Sequence, residues 1–308
     1  MATLYTTLGA YSRDELGVVL PHEHIFTDLG PMEEENWKDA EAAPVTEQVA
    51  PMIERAKDAG ITALVECTPE GVGRRVDIVQ AVSEATEFPV VVATGVYQEP
   101  SIPDWVREAS EDELYEWMVE ELTEGVDETG VKAAWIKVST DDDDPTGLSE
   151  DEAKILRAAA RAGAETGAVI GSHTLHADVV HQQLDLIEDA GYTAEQFIWI
   201  HSQAEAVEDH EAVAERGAWI EYDWIGGDDQ DDDRYVDLLQ HMLEVGYGDQ
   251  LLLSQDRGWY DPSQPEGGEF KEYTYLVEEF LPKLREAGLD EATIEQLTRD
   301  NPFDVYAR

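Results

Sequence analysis

The feature that most constrains this chain is an alternation repeated eight times. Short apolar or β-branched runs occur at residues 17–20, 61–67, 89–94, 134–138, 168–172, 197–200, 219–222 and 251–254. Between most of them lie amphipathic stretches with helical spacing. Strands that read as continuous apolar runs and alternate with helices belong to a parallel sheet covered on both faces. Eight such strands can close on themselves, and 308 residues suit one large barrel. A single (β/α)8 TIM barrel domain spanning residues 1–308 is therefore expected. A doubly wound open sheet is the alternative, but no G-x-G-x-x-G follows an early strand. Helix punctuation agrees with the alternation. Thr46 can cap a helix ending at Gly60, and Ser149 one running towards Gly163 or Gly167. The stretches 177–190 and 203–216 end at Gly191 and Gly217, just before the next strand.

Hydrophobic residues make up 42% of the chain, enough for a large core, so disorder is excluded. Acidic residues number 70 against 20 basic ones, a formal net charge of −50. In ordinary salt such a chain repels itself. At molar salt the Debye length is ~3 Å and the repulsion is screened. The charge thus describes a halophilic protein's solvent rather than its substrate. It also argues against nucleic acid and anionic membranes, because lysine and arginine are scattered among acids. No apolar run is long enough to cross a bilayer, and residues 1–10 lack the basic flank and apolar block of a signal peptide; a cytoplasmic location is expected. Cys67 is the only cysteine and reads as a buried small residue, so no internal disulfide can form. The acidic patches 141–144 and 228–233 read as solvated loops.

The polar residues at the carboxyl ends of the strands carry the chemistry. Strand one runs into Pro21-His22-Glu23-His24, strand four contains Lys137, strand five ends on His173, strand six on His201, and strand eight on Asp256. In a barrel these ends converge on one face. In H-x-H on a strand, alternation points both imidazoles to one side, so His22 and His24 can share a metal, with Asp256 as a hard oxygen ligand. His173 and His201, from neighbouring strands, can hold a second. His181, His210 and His241 read as surface or satisfied core residues, and His176 as a bystander or rim contact.

Residues 6–26, especially Leu20-Pro21-His22-Glu23-His24, resemble the opening of phosphotriesterase-related proteins of the amidohydrolase superfamily. Val92-Ala93-Thr94-Gly95-Val96-Tyr97, Ile136-Lys137-Val138, His173-Thr174 and the closing Asn301-Pro302 are similar to that family in the same order. The resemblance implies that His22, His24 and Asp256 bind one divalent ion and His173 and His201 another. Lys137, carboxylated to N6-carboxylysine, would bridge them. Zinc suits this donor set best, with manganese, cobalt and iron as alternatives. It also implies hydrolysis by a metal-bridging hydroxide, with Asp256 carrying the proton afterwards.

Departures from the pattern bear on substrate. Organophosphate-hydrolysing members carry an Asp soon after the strand-six His-Ser pair; this chain reads His201-Ser202-Gln203-Ala204-Glu205. After strand seven it reads Asp223-Trp224, where many relatives place His or Arg. The expectation is a lactonase opening a sugar or related lactone, an anionic one if Arg257 grips a carboxylate or phosphate. The other reading of Arg257 is neutralisation of a negative surrounding. Tyr97 is either a substrate contact or a rim tyrosine packing the pocket mouth, and Trp224 is a further expected substrate contact. Organophosphate esterase and cyclic-amide hydrolase are the alternative activities. The expected partner is a small molecule, and family resemblance leaves room for a homodimer.

Overall fold

The structure, a computed structural model, describes residues 2–227 and 231–308. A short antiparallel hairpin, β1 (Leu4–Thr6) and β2 (Gly9–Tyr11), precedes the main sheet. The eight expected runs then form strands in order: β3 (Val18–Phe26), β4 (Ile61–Glu66), β5 (Val90–Val91) with β6 (Ala93–Gly95), β7 (Trp135–Ser139), β8 (Ile170–His173), β9 (Phe197–Ile200), β10 (Trp219–Tyr222) and β11 (Leu251–Leu253). Neighbours pair in parallel along this order, and the third run is one strand interrupted at Val92, with β5 on β4 and β6 on β7. Gly95 makes the second of these pairings possible. Its φ is +113°, and a Cβ there would stand 2.0 Å from the Lys137 carbonyl oxygen.

The sheet closes on itself. β12 (Gly258–Tyr260) continues strand eight beyond Asp256 and pairs in parallel with β3. The His22 amide donates to Ser254 Oγ at 2.9 Å, and the Asp256 amide to the His22 carbonyl at 3.2 Å. The result is the (β/α)8 barrel that the alternation implies. Alternate strand residues feed two apolar layers. Val65, Val91, Trp135, Ile198 and Leu252 share one cluster with Cys67, Leu4, Phe303 and Tyr306. Leu64, Val90, Ile136, Trp199 and Leu251 share the other with the helices. Asn301 Nδ2 donates to the carbonyls of Gly248 and Leu251 at 2.8 Å each, which ties the last helical segment to the amino ends of the strands.

The helices are α1 (Ala42–Asp58), α2 (Val76–Thr86), α3 (Asp104–Glu108), α4 (Glu111–Thr123), α5 (Glu150–Thr166), α6 (Ala177–Asp189), α7 (Val207–Glu215) and α8 (Asp232–Glu244), followed by shorter segments. Ser149 caps α5 as expected, and the helix stops at Gly167 in the left-handed conformation. Two boundaries differ from the sequence reading. Thr46 is not a cap but sits inside α1, its hydroxyl donating to the Ala42 carbonyl at 2.8 Å. The helix starts earlier because Pro44 falls in its first turn, where a missing N–H costs little. The stretch 203–216 is α-helical only from Val207, after a 3-10 turn at Ser202–Ala204 in which the Gln203 carbonyl accepts Arg234 Nη2 at 2.6 Å.

The patch 228–233 is not simply a solvated loop. Asp228, Asp229 and Gln230 lie outside the described residues. Asp231 caps α8, while Asp232 is buried, accepting from Tyr275 Oη at 2.8 Å and paired with Lys283. Among the described residues no helix is long and apolar enough to cross a membrane.

His210 is a satisfied core histidine: Nε2 meets the Ser202 carbonyl at 2.7 Å and Nδ1 meets Tyr222 Oη at 2.9 Å. Burial pushes its pKa down to about 4, against the Ser202 hydrogen bond. The unfolded chain therefore binds the extra proton first. The stability that neutral His210 confers is present above pH ~6.5 and lost as pH falls towards 4, on the order of 3 kcal/mol across that window. In molar salt, the gap in unfolding midpoint between wild type and His210→Gln should narrow as pH falls from 7 to 4.5. A constant gap would contradict it.

Candidate active site

Parallel strands all deliver their carboxyl ends to one mouth of the barrel. His22 and His24 alternate along β3, Lys137 lies in mid-β7, His173 ends β8, His201 follows β9, and Asp256 stands just beyond β11. These six residues and Tyr97 line one cavity of about 360 Å3, with Leu29, Pro69, Val72, Cys67 and Trp259 in its walls. His201 and Asp256 sit at positive φ, 65° and 51°. Such backbone conformations are costly for non-glycine residues and concentrate where side chains are aimed at a site.

Ligand atoms of His22, His24 and Asp256 lie within 4.8 Å of one another. Asp256 Oδ1 is 3.2 Å from His24 Nε2 and 3.8 Å from His22 Nε2. The rings of His173 and His201 are 4.3 Å apart at their centroids, and His22 and His201 are 5.2 Å apart. Lys137 is buried among them, and no described side chain hydrogen-bonds or ion-pairs with its amine.

Each imidazole is tied by one nitrogen and turns the other to the cavity, where His24 Nε2 stands 3.2 Å from Asp256 Oδ1. His22 Nδ1 meets Glu221 Oε1 at 2.7 Å, His24 Nδ1 meets Thr68 Oγ1 at 2.7 Å, and His201 Nδ1 meets Asp223 Oδ1 at 2.7 Å. His173 is held the other way round, through Nε2, by Asp142 Oδ1 at 2.9 Å. Three Nε2 atoms and one Nδ1 are thus left as donors towards the cavity. Burial, reinforced by Lys137 and the neighbouring imidazoles, drives the His22 pKa well below its usual value. Burial and His201 bring His173 to about 4 despite Asp142. Both rings are therefore neutral at pH 7, as metal coordination needs. Burial raises Asp256, but the contact with His24 and the charges of His24, His201 and Lys137 outweigh it and hold the carboxyl at about 2. Its Oδ1 is buried without an aligned hydrogen-bond partner. An orphaned carboxylate oxygen beside open imidazole nitrogens fits a divalent cation.

Glu221 and Asp223, both fully buried at the end of β10, were not singled out as site residues from sequence. Their signal was the alternation Glu221-x-Asp223, which turns two carboxylates to the same side. Burial, then the charge of Asp223, raises Glu221 well above the usual carboxyl range. Asp142 is a correction to the solvated-loop reading of 141–144. It is partly buried because it serves His173 and Gln98, whose Nε2 donates to Asp142 Oδ2 at 3.1 Å. Tyr97 meets His173 edge-on at 5.3 Å, and burial, with Asp142 and Asp256, raises its pKa, so it remains a phenol. Trp259 packs on His24 at 4.5 Å.

Two expected substrate contacts are placed elsewhere. Trp224 stacks on His201 at 5.0 Å but is not in the cavity lining. Arg257 is also absent from it. Its guanidinium donates to the Gly226 carbonyl and to the Glu272 carbonyl at 3.4 Å, and lies over the Tyr275 ring at 4.9 Å. Its backbone amide donates to Glu23 Oε2 at 2.8 Å. In this position Arg257 clasps the segments after β10 and β11 rather than facing a substrate.

The model of the phosphotriesterase family matches residues 2–306. A phosphotriesterase homology protein from Mycobacterium tuberculosis is 28% identical, with 100% of this chain and 98% of that protein covered. An aryldialkylphosphatase from Saccharolobus solfataricus is 25% identical over 95% of this chain and 96% of its own length. Among solved structures, a mutant of a Deinococcus radiodurans PTE-like lactonase superposes with a TM-score of 0.87 at 28% identity, covering 98% of this chain and 99% of that one.

Proposed function

We propose, from the premise that this chain belongs to the phosphotriesterase family and is a metal-dependent hydrolase acting on ester bonds, that its substrate is a lactone whose remote part is uncharged. The observation that carries this reading is the cavity wall. Beyond the donor set at its floor, it presents Thr27, Leu29, Cys67, Pro69, Val72, Tyr97 and Trp259, and among the described residues Lys137 is the only lysine or arginine lining it. The D. radiodurans PTE-like lactonase supports the class of reaction. Arg257 does not support the anionic case of the expected sugar or related lactone, because its guanidinium is engaged by two backbone carbonyls and a tyrosine ring.

On this reading His22, His24 and Asp256 would hold one divalent ion and His173 and His201 a second, with Lys137, if carboxylated, as a shared oxygen donor. Bound ions would supply an activated water and polarise the carbonyl oxygen under attack. The chain's own groups do the rest. The neutral phenol of Tyr97 is a hydrogen-bond donor at the cavity wall, available to the lactone oxygen. The Asp256 carboxylate, ionised at neutral pH, takes the proton that water gives up as it adds to the carbonyl carbon. It returns that proton to the ring oxygen as the C–O bond breaks, so lactone and water become one hydroxy acid. Glu221, Thr68 and Asp223 keep His22, His24 and His201 oriented throughout.

A panel of neutral lactones, phosphorylated lactones, cyclic amides and phosphate triesters tests the assignment, with the highest kcat/KM expected on neutral lactones. Arg257→Ala should lower kcat/KM by about tenfold on charged and neutral lactones alike, because the clasp it removes acts on the site as a whole. A loss confined to anionic lactones would restore Arg257 as a substrate anchor and overturn the neutral-lactone reading.

A further inference from the structure

Of the four imidazoles, His173 alone is tied through Nε2, and its partner stands on the loop between β7 and α5. Asp142 makes three ties there. Oδ1 meets His173 Nε2 at 2.9 Å, Oδ2 accepts from Gln98 Nε2 at 3.1 Å, and the backbone carbonyl meets His176 Nε2 at 2.9 Å. Gln98 follows Tyr97 in the cavity wall, and His176 precedes α6. The carboxylate is thus held by His173 and Gln98, and the backbone behind it by His176, with the side chain 33% exposed.

We propose that Asp142 is the positioning residue for the ion held by His173 and His201, an inference that rests on the two-ion reading above. A carboxylate has no proton to give, so His173 Nε2 must carry the hydrogen of this bond. The Nδ1 lone pair is then turned to the cavity. Without the acceptor, a neutral imidazole is free to place its proton on Nδ1 instead, and a protonated nitrogen cannot bind a metal. Fixing tautomer and ring angle in this way typically changes metal affinity by about 10–100-fold. His22, His24 and Asp256 have no contact with Asp142, so the first ion should be insensitive to it. The pair Asp142–Gln98 also couples the second ion's ligand to the wall that carries Tyr97.

The test is extraction of zinc from the loaded full-length protein, in molar salt, by a chromophoric chelator. Wild type should release two ions in resolved steps. Asp142→Ala should release one of them at about 10–100-fold lower chelator concentration and leave the other unchanged. Asp142→Asn, whose amide oxygen still accepts from Nε2, should stay near wild type. Asp143→Ala, which removes the same charge from an exposed neighbour, should match wild type. In 15N imidazole spectra of the metal-free chain, the His173 signal, assigned by its loss in His173→Ala, should show a proton on Nε2, and Asp142→Ala should mix the tautomers. Equal weakening of both ions, equal effects of Asp142→Ala and Asp143→Ala, or a His173 Nε2 without its proton would each overturn the proposal. A wild-type chain holding fewer than two ions would overturn the two-ion reading, and this proposal as it concerns the metal. The imidazole spectrum decides the tautomer independently.

Discussion

Lys137→Ala is expected to lose metal and activity together, with kcat falling at least about a thousandfold as the water is no longer activated. The residue is 2% exposed, surrounded by imidazoles and facing Asp256, yet no described side chain hydrogen-bonds or ion-pairs with its amine. On the proposed two-ion reading, a carbamate there would add two oxygen donors and a negative charge towards the two cations. Short carboxylic acids added to Lys137→Ala should partly restore both metal content and turnover, because they can occupy the space of the missing oxygens. Elemental analysis alongside kcat is the measurement, and a Lys137→Ala protein with two ions and full turnover would refute the bridge. Asp256→Asn separates structure from chemistry. The amide can still offer an oxygen to a metal but cannot accept the proton, so much of the metal should remain while most turnover disappears.

Transfer from molar to millimolar salt should unfold the protein. With 70 acidic and 20 basic residues, at most a minority of carboxylates can be paired. Surface ion pairs such as Arg55–Glu272 and Arg157–Glu111 contribute little each. The acids at the starts of α4 and α5 gain from the helix dipole, but that gain is local to the first turn. The unpaired remainder repels over a Debye length that grows from ~3 Å at 1 M to ~30 Å at 0.01 M. Far-UV circular dichroism during dilution should show a cooperative transition. Metal should leave in the same transition, since the six expected ligands come from five separate strands and have no local framework of their own. Retention of fold and activity for hours at millimolar salt would contradict both statements.

The strands were legible because β-branched and apolar runs mark their own extent, and 197–200 and 219–222 coincide with β9 and β10 to the residue. That the six expected ligands meet in one cavity was legible because each stands at or near a strand's carboxyl end. Their partners were less so. Asp223 and Glu221 look like any acids in an acid-rich chain until β10 is placed beside β9 and β3. Asp142 was hidden in a run of four aspartates of which sequence alone cannot say which one turns inward. The sequence left Arg257 between a substrate anchor and a counter-charge, because a cation beside Asp256 suits either role; its contacts with the Gly226 and Glu272 carbonyls and the Tyr275 ring exist only in the folded chain.

By itself the sequence determined what periodicity and residue chemistry can encode locally: eight strands, their helices, the polar residues at their ends and a strongly acidic composition. Which nitrogen of each histidine faces the cavity, which side chain holds it there, and whether Arg257 reaches the cavity were decided by tertiary structure alone. Those properties depend on groups up to 199 residues apart, as Glu221 is from His22, meeting at hydrogen-bond distance. No local pattern encodes such a meeting, because it exists only once the barrel has closed.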